Sequence, residues 1–335
     1  MADLICIGEA LIDFVAMEPC TDVGASGGFL RAPGGAPANV AVAAARLGCS
    51  SAFLGKVGED PFGRFLARTI AAAGVNIDGM VFAPRHRTGL AFVSLGPSGE
   101  RDFCFFRNPS ADMTFTPAEL NLPLIDSCKA IHFGSITLID PAPRRATLAA
   151  ISHARSAGKL VSYDPNLRPP LWNSLADARK RIFQGMRLAD LVKVSMEELN
   201  FLFNSDLAVN CADQTELQGR AQLLLKKFPG IKLLTVTFGP DGSAWFSRNG
   251  SSGRINGFSV EAVDTTGAGD GFIGAVITGL LAAGIDSGTL AGAADQLVTA
   301  IVTRANAVGA IATTTKGAIP AMPDNAAVDQ FLKGQ

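Results

Sequence analysis

A glycine- and threonine-rich segment holds the residues whose types and spacing best suit chemistry. The segment reads VDTTGAGDGFIG over residues 263–274, and an apolar run typical of a helix follows it. Gly267 and Gly269 allow the backbone to come close to a ligand, and the first turn of a helix offers N–H groups without intrahelical partners at the positive end of its dipole. The segment therefore suits phosphate. Asp270 lies in it too, and a carboxylate that repels phosphate requires a role of its own.

Two other interpretations of this segment compete with a phosphate site. A turn between a strand and a helix, with an Asp favoured by the helix dipole, needs no ligand at all. The letters GDGFIG, residues 269–274, also fit the GxGxxG pattern of dinucleotide-binding proteins. That pattern requires a further strand with an acidic residue about 20 positions on, but residues 289–307 look helical and place Asp295 inside the helix. The structural turn stays open, and the dinucleotide site is disfavoured.

A second group of polar residues lies near the N-terminus. GEALIDF places Asp13 at the expected end of a strand, and GGAPANVAVAAARLG places Asn39 in the first turn of a helix. Gly34 and Gly35 precede that helix, and helix initiation alone would account for Gly35 and Pro37. A carboxylate and an amide at such positions supply the paired acceptors and donors that a polyhydroxylated ligand requires.

A third segment, SYDPNLRPPLW at residues 162–172, follows a strand with polar groups. Its Arg168 is placed to meet anionic oxygens, because ligands of parallel sheets bind beyond the carboxyl ends of the strands. The alternative is a surface ion pair between Arg168 and Asp164. Asn108 follows another strand-like run, in FFRNPSADM.

These residues must be positioned by an α/β fold, because strand and helix patterns alternate along most of the chain. Such alternation predicts a mostly parallel central sheet with helices on both faces. The predicted strands cover residues 4–8, 130–133, 160–163, 191–194, 233–236 and 244–246, and the predicted helices cover 38–47, 62–73, 144–157, 176–189 and 216–227.

One region breaks this alternation. Residues 88–95 and 101–107 are strand-like, and the polar connection 96–100 predicts that they form a β-hairpin. Both faces of the pair carry apolar side chains. Two roles fit: a lid that covers a ligand with one face and contacts a second subunit with the other, or a strand pair inside the main core.

Charge and composition narrow the classes of function. The 335 residues include 29 Lys plus Arg and 30 Asp plus Glu, and the net charge of −1 gives no electrostatic basis for binding nucleic acid or an anionic membrane. The start, MADLICIGEALIDF, lacks the basic residues of a signal peptide, and no apolar run is long enough for a membrane span. The cysteines form no CxxC pair, and Cys6, Cys49 and Cys104 lie in apolar sequence, which indicates free core thiols in a reducing, cytoplasmic setting.

Together these segments resemble a known family. GGAPANVAVAAARLG and DTTGAGDGF are similar to the two signature segments of the ribokinase-like, or PfkB, carbohydrate kinases, and the resemblance runs from end to end. GEALIDF, FLGKVGEDPFGRFL, FFRNPSADM, SYDPNLRPPLW and KGAIPAMP look most like the fructokinases within that family. The resemblance implies a ribokinase-like three-layer fold with a small β lid, as one kinase domain over residues 1–335 with lid segments at about 14–35 and 86–108.

The resemblance also implies catalytic roles. Asp270 matches the base that takes the proton from a primary hydroxyl of the sugar as its oxygen attacks the γ-phosphate of ATP. The N–H groups of Gly267, Ala268 and Gly269 match an anion hole for the transferring phosphoryl group, and Arg168 would meet the sugar or that group. The helix N-terminus is expected to keep Asp270 ionised.

Binding residues are implied in the same way. The sugar-binding residues would be Asp13, Gly34, Gly35, Asn39, Phe106, Asn108, Arg168 and Asp270. The chain contains no Walker A sequence, and the residues that would hold ATP instead are Lys193, Thr237, Gly239, Gly242, Gly267, Gly269 and Asn306.

Two metal sites follow from the resemblance. KVSMEEL, residues 193–199, matches the family's NxxE segment, in which Glu198 organises Mg²⁺ through water; Ser195 stands here in place of the usual Asn. Asp264 and Thr266, with the loop before Gly317, match a monovalent-cation site that would take K⁺.

The implied function is an ATP-dependent kinase that converts D-fructose to fructose 6-phosphate, as a homodimer through the lid. Related kinases act on 2-keto-3-deoxygluconate, ribose or aminoimidazole riboside, and these acceptors stay open. So does a catalytically silent sugar-binding or regulatory protein on the same fold, although the intact GAG turn with Asp270 argues against it.

Overall fold

The computed structural model describes residues 2–18, 22–95, 101–203 and 213–335. In these residues the strands are β1 (Leu4–Ile7), β2 (Leu11–Ala16), β3 (Phe29–Gly34), β4 (Ser51–Gly58), β5 (Asn76–Ala83), β6 (Leu90–Leu95), β7 (Arg101–Phe106), β8 (Ala130–Gly134), β9 (Leu160–Asp164), β10 (Leu191–Ser195), β11 (Leu233–Thr237), β12 (Ser243–Ser247) and β13 (Ser252–Ile255). The α-helices are α1 (Ala36–Arg46), α2 (Pro61–Ala72), α3 (Leu122–Ser127), α4 (Pro141–Ser156), α5 (Leu175–Met186), α6 (Met196–Phe203), α7 (Gln214–Lys227), α8 (Ala268–Ala282), α9 (Asp295–Ala312), α10 (Ala318–Ala321) and α11 (Asn325–Lys333).

Nine strands form the main sheet, in the order β13-β12-β11-β10-β9-β8-β1-β4-β5. The pairs from β11 to β5 are parallel, whereas β12 pairs antiparallel with both β11 and β13. The predicted mostly parallel sheet is therefore confirmed. All four residues of β1 are buried, as expected of a strand covered on both faces.

Helices cover both faces of the main sheet and produce two hydrophobic cores. Leu4 and Cys6 of β1 belong to the core that contains residues of α1, α8 and α9. Ile5 and Ile7, which point the other way along the same strand, belong to the core that contains residues of α4, α5 and α7. The alternation along one buried strand therefore connects three layers.

Four strands form a separate small sheet, in the order β3-β2-β6-β7. β6 and β7 pair antiparallel, so the predicted hairpin is confirmed, although its connection at residues 96–100 lies outside the described residues. Because the pair does not belong to the main sheet, its placement inside the main core is wrong. β2 pairs with β3 and, in parallel, with β6.

The small sheet corrects the placement of Asp13. This residue was expected at a strand end, but it is the third residue of β2, in register with Ala32 on one side and Ala91 on the other. The sequence missed β2 because the strand, LIDFVA, has a charge in its centre and lies directly after another apolar strand. Asp13 is consequently fixed by neighbours on both sides.

An aromatic cluster covers the face of the small sheet opposite Asp13. The rings of Phe14 and Phe92 stack with centroids 4.9 Å apart, and Phe106 meets Phe92 at 5.3 Å. At one end the cluster reaches the main core, where Phe62 of α2 contacts Phe14 edge-on at 5.8 Å. Phe106 stays 59% exposed, so this aromatic face is only partly covered.

Two further expectations change. β4 and β5 were not predicted, because Gly and Lys interrupt SAFLGKVG in β4 and Asp and Gly interrupt NIDGMVFA in β5. Gly55 is required in β4, since a Cβ would lie 2.3 Å from the Gly8 carbonyl oxygen. Cys6 is buried as expected, but Cys49 is only partly buried and Cys104 is exposed on the small sheet, so the expected core position of Cys104 is wrong. In the described part of the chain, no helix is both long enough and apolar enough to cross a bilayer.

Candidate active site

A cleft of about 720 Å³ lies between the small sheet and the carboxyl ends of the central parallel strands. The small sheet contributes Asp13 and Phe105 to its walls, and β10 and β11 contribute Lys193 and Thr237. This is the place where parallel sheets bind ligands. The cleft is also lined by most of the predicted site residues, namely Asp13, Gly35, Asn39, Arg168, Lys193, Glu198, Thr237, Gly239, Asp264, Thr266, Gly267, Ala268, Gly269 and Asp270.

Two amides hold the carboxylate of Asp270, which is 7% exposed. Asn39 donates from Nδ2 to Asp270 Oδ2 at 2.8 Å, and Asn166 donates from Nδ2 to Oδ1 at 3.1 Å. The first amide comes from α1, which packs against α8, and the second from the loop after β9. Each carboxylate oxygen is thus fixed by one donor.

Burial determines the acidity of Asp270. Desolvation raises its pKa, and the Asn39 hydrogen bond, Lys193, Arg168 and the Asn166 hydrogen bond oppose this without cancelling it. The helix N-terminus was expected to keep Asp270 ionised; burial acts against that effect and raises the pKa of this carboxylate. A raised pKa makes Asp270 a stronger base than an exposed Asp.

The ammonium group of Lys193 lies next to the glycine-rich turn that begins α8. Gly267 caps α8 in the left-handed conformation, with φ of 83°, and a Cβ there would lie 2.6 Å from Ala318 Cβ. A Cβ at Gly269 would lie 2.9 Å from Lys193 Nζ, which places that charge directly against the turn. The start of α8 and Lys193 together form a site for an anion.

Lys193 belongs to a buried charged cluster with Asp164 and Glu198. Lys193 Nζ lies 3.0 Å from Asp164 Oδ2. Burial alone would lower the pKa of Lys193, but the Asp164 and Glu198 carboxylates outweigh it and raise that pKa, so the ammonium stays charged. Asp164 therefore pairs with Lys193, and the alternative surface pair between Asp164 and Arg168 is not found.

Glu198 organises the loops around this cluster. Its Oε1 accepts the Leu167 N–H at 2.7 Å and its Oε2 accepts the Ser195 N–H at 2.8 Å. Burial raises its pKa, and the neighbouring Asp164 raises it further. Both oxygens are already used by the backbone.

Arg168 and Asp264 both line the cleft. Arg168 is half-buried and donates from Nη1 to the Leu167 carbonyl at 3.2 Å and to the Asn166 carbonyl at 3.4 Å. Its Nε and Nη2 donors point to no acceptor among the described residues and suit an anionic ligand. Asp264 accepts hydrogen bonds at Oδ1 from the Thr266 N–H at 2.9 Å and at Oδ2 from the Gly317 N–H at 2.9 Å. Asp264 therefore ties the glycine-rich turn to the segment that precedes α10.

Three predicted sugar-binding residues do not line this cleft. Phe106 lies on the opposite, aromatic face of the small sheet, where it contacts Phe92. Asn108 is exposed and lines a neighbouring cavity with Arg144. Gly34 acts indirectly, because a Cβ there would lie 2.1 Å from Asp13 Oδ2; its lack of a side chain makes room for that carboxylate.

Two predicted ATP-binding residues also lie behind the cleft wall. Gly242 makes a tight turn with φ of 95°, and a Cβ would lie 2.2 Å from the Ile255 carbonyl oxygen. Asn306 accepts the Ser243 hydroxyl at 2.8 Å and donates to the Asn256 carbonyl at 3.3 Å. Both residues shape the loop that presents Gly239 to the cleft.

Asn166 and Glu9 line the cleft but were not predicted as site residues. Asn166 has φ of 46°, a left-handed conformation that Asn tolerates better than most residues, and this geometry turns its amide towards Asp270. The sequence Asp-Pro-Asn at residues 164–166 indicates a turn, but it does not show that the Asn166 side chain points to Asp270. Glu9 lines the cleft, 2% exposed, and its glycine neighbour gave no sign of that burial.

Comparisons with known proteins agree with this architecture. Residues 1–325 match the model of the pfkB family carbohydrate kinases. The chain is 46% identical to fructokinase-2 of Solanum habrochaites over 331 residues, which cover 99% of this chain and 96% of that protein.

Solved structures agree as well. A fructokinase of Xylella fastidiosa with bound ATP superposes with a TM-score of 0.88 at 34% identity and covers 100% of this chain and 99% of its own. A double-mutant fructokinase of Vibrio cholerae O395, with fructose, ADP and potassium ion bound, gives 0.84 at 36% identity and covers 99% and 98%. The predicted ribokinase-like fold is confirmed, and the chain belongs to the pfkB family of carbohydrate kinases.

Proposed function

We propose that the protein is a fructokinase, which transfers the γ-phosphoryl group of ATP to the C6 primary hydroxyl of D-fructose and gives fructose 6-phosphate. The relatives named above support this acceptor, and the geometry supports the reaction. The single observation that carries it is the placement of Asp270, a buried carboxylate held by Asn39 and Asn166 at the edge of an anion site.

The reaction divides between a base and a positive site. Asp270 takes the hydroxyl proton as the sugar oxygen forms a bond to the γ-phosphorus, and the bond from that phosphorus to the β–γ bridging oxygen breaks to release ADP. Lys193, Arg168 and the N–H groups of Gly267, Ala268 and Gly269 would stabilise the charge on the transferring group. The carboxylate and the anion hole thus serve different partners.

The sugar hydroxyls would bind on the α1 side of the cleft. Asn39 lines the cleft and is 4% exposed. Asp13 and Gly35 complete this wall. ATP would lie on the other side, against Thr237 and Gly239.

The cleft also offers ligands for cations. Carboxylate oxygens are the donors that Mg²⁺ prefers, but both oxygens of Glu198 accept backbone N–H groups, so Glu198 would hold Mg²⁺ through water. Mg²⁺ supplies charge that neutralises the phosphates. For K⁺, the Asp264 carboxylate is likewise occupied, and loop oxygens around Thr266 would be the ligands.

The larger assembly completes the proposal. The chain forms one kinase domain in which the small sheet serves as a lid over the sugar, and two copies associate through the aromatic face around Phe92 and Phe106. Its use of ATP and its buried free thiols at Cys6 and Cys128 fit the cytoplasm.

A sugar panel tests this function. Purified protein with MgATP is given D-fructose, 2-keto-3-deoxygluconate, ribose and aminoimidazole riboside, and ADP release is measured; binding of each sugar is measured by calorimetry. We expect turnover with fructose, with fructose 6-phosphate as the product. Turnover with another acceptor and none with fructose would reject the acceptor, and binding without any turnover would indicate a silent sugar-binding protein.

A further inference from the structure

Glu9 lies where the chain first passes from the main sheet to the small sheet, and the reaction described above does not use it. The residue follows β1 and lines the cleft beside Gly35 and Asn39. It is 2% exposed. An ionisable side chain buried at a ligand site needs an explanation, because its burial costs free energy.

One oxygen of Glu9 caps α1. Glu9 Oε1 accepts the N–H of Ala36, the first residue of that helix, at 3.2 Å. The N-cap position is occupied by Gly35, which has no side chain to accept such a bond. The two segments are also in direct backbone contact, since a Cβ at Gly35 would lie 2.3 Å from the Glu9 carbonyl oxygen. Glu9 therefore fixes where α1 begins.

α1 transmits this position to the base. Asn39 lies one turn after Ala36 and donates to Asp270 Oδ2 at 2.8 Å. Adjacent turns of a helix move together, so a shift at Ala36 changes the Asn39–Asp270 distance. Hydrogen bonds weaken steeply with such changes in geometry.

The second oxygen of Glu9 is buried, and it has no hydrogen-bond partner within residues 2–18, 22–95, 101–203 and 213–335. The charged groups that face Glu9 are Arg107 and Asp112, which pair with each other in the segment after β7. Burial raises the pKa of Glu9 to about 7. The hydrogen bonds that oppose this rise come from the Glu9 and Ala36 backbone N–H groups, and the Ala36 bond is the one that reaches α1.

We propose that Glu9 is a positioning residue for phosphoryl transfer, which acts through Ala36 to hold Asn39 against Asp270. This assignment rests on the proposed function, because it places Glu9 in that reaction. Glu9 itself exchanges no proton with the substrate.

The test compares Glu9→Ala and Glu9→Gln with a matched control. Glu119 also accepts an N–H bond at the start of a short helix, from Thr116 at 2.8 Å, but it does not line the cleft. We measure kcat, the KM values for fructose and ATP, and the thermal unfolding temperature of each variant. Glu9→Ala should lower kcat at least tenfold with an unchanged KM for ATP, and Glu9→Gln, which can still accept the Ala36 N–H, should stay within about threefold of the unmodified protein.

A second readout needs no turnover. In protein carrying ¹³C-labelled aspartate, loss of the Asn39 bond should raise the pKa of Asp270 in Glu9→Ala and leave it unchanged in Glu9→Gln and Glu119→Ala. An unchanged Asp270 titration in Glu9→Ala would overturn the proposal whatever sugar is used. So would equal losses of kcat in Glu9→Ala and Glu119→Ala at equal loss of stability. Failure of fructose turnover in the unmodified protein, by contrast, rejects only the proposed function.

Discussion

At the scale of the residue, Asp270 is held by two side chains that cannot take its proton. Asn39 and Asn166 bind its two oxygens from distant parts of the chain, and an amide N–H can donate but not act as a base. Lys193 beside the turn stays protonated, and its positive charge favours the ionised form of Asp270. Within this group, proton transfer from a ligand therefore falls to the carboxylate.

Asp270→Asn should remove this function without harming the fold. We expect kcat to fall at least about 100-fold, the typical contribution of a positioned base, with an unchanged dissociation constant for ATP by calorimetry. Asp295→Asn is the control, because Asp295 also begins a helix but lies outside the cleft. Activity above one tenth of normal in Asp270→Asn would contradict its assignment as the base.

The pH dependence of kcat should report the same carboxylate. Because burial raises the pKa of Asp270, kcat should be lost as the pH falls through a value above the ordinary 3.9 or so of Asp. Asn166→Gly removes a donor to Asp270 but tolerates the positive φ, so it should move this acid limb to higher pH. If the unmodified protein and Asn166→Gly lose kcat over the same acid pH range, with MgATP and sugar saturating, then Asn166 does not affect the pKa of Asp270.

The sequence predicts chemistry better than contacts at this scale. Asp270, Asn39 and Arg168 could be singled out because their residue types are unusual beside glycine turns and strand ends. Asn166 and Lys193 could not be given their actual partners, since a left-handed backbone and a buried ion pair depend on neighbours more than 20 residues away. Phe106 and Asn108 do not line the cleft. Strand alternation places Phe106 on the opposite face of the small sheet, and Asn108 lies in the exposed segment after β7, next to another cavity.

At the scale of the element, β2 and β3 hold the sugar side of the cleft. Gly34 ends β3 directly against Asp13 of β2. Because Gly34 has no side chain, there is room for the Asp13 carboxylate beside it. The residues in register with Asp13 on the two neighbouring strands are Ala32 and Ala91, which are also small. The pairing of these strands is thus part of the recognition site.

Gly34→Ala should weaken sugar binding selectively. The added Cβ would lie 2.1 Å from Asp13 Oδ2 and displace that carboxylate. We expect the KM for fructose to rise at least tenfold, about 1.4 kcal/mol, while the KM for ATP stays unchanged. Gly219→Ala serves as the control, because an added Cβ in that part of α7 meets nothing within 4 Å. Parallel changes in both KM values would point to general misfolding.

Main-sheet elements could be predicted where periodicity was simple. The buried runs of β1, β8 to β12 and the amphipathic helices between them follow directly from apolar patterning. β2, β4 and β5 could not, because a charge or a glycine needed for close backbone contact interrupts each pattern. Tertiary pairing makes these segments strands.

At the scale of the whole molecule, the aromatic face of the small sheet is a candidate for contact between copies. Phe106 is 59% exposed at the end of a cluster with Phe92 and Phe14. Exposed aromatic clusters on soluble proteins commonly mark interfaces. This face lies opposite the cleft, so association would leave the site open.

Light scattering can test the proposed homodimer. The unmodified protein should have twice the mass of the chain, and Phe106→Lys should give monomers, because a desolvated ammonium opposes association. Leu223→Lys makes the same type of change at a leucine of α7 that is 57% exposed, and it should remain dimeric. A monomeric unmodified protein, or a dimeric Phe106→Lys, would exclude this interface.

The overall architecture could be predicted in part. Alternating strands and helices predict the layered α/β fold, and ligands of such parallel sheets bind beyond the carboxyl ends of the strands. The joining of residues 11–34 and 90–106 into one sheet could not be derived from periodicity, because the parallel pairing of β2 with β6 brings together segments nearly 80 residues apart.

The contact between Gly267 and Ala318 has a consequence for how the protein is made. Asp264 and the glycine-rich turn are supported by Gly317 and Ala318, which follow every strand of both sheets in the sequence. A nascent chain can therefore have synthesised both sheets while the support of its anion-binding turn is still missing. The anion-binding site should therefore form only near the end of translation. A chain truncated just before Gly317 should contain every strand but should not bind nucleotide.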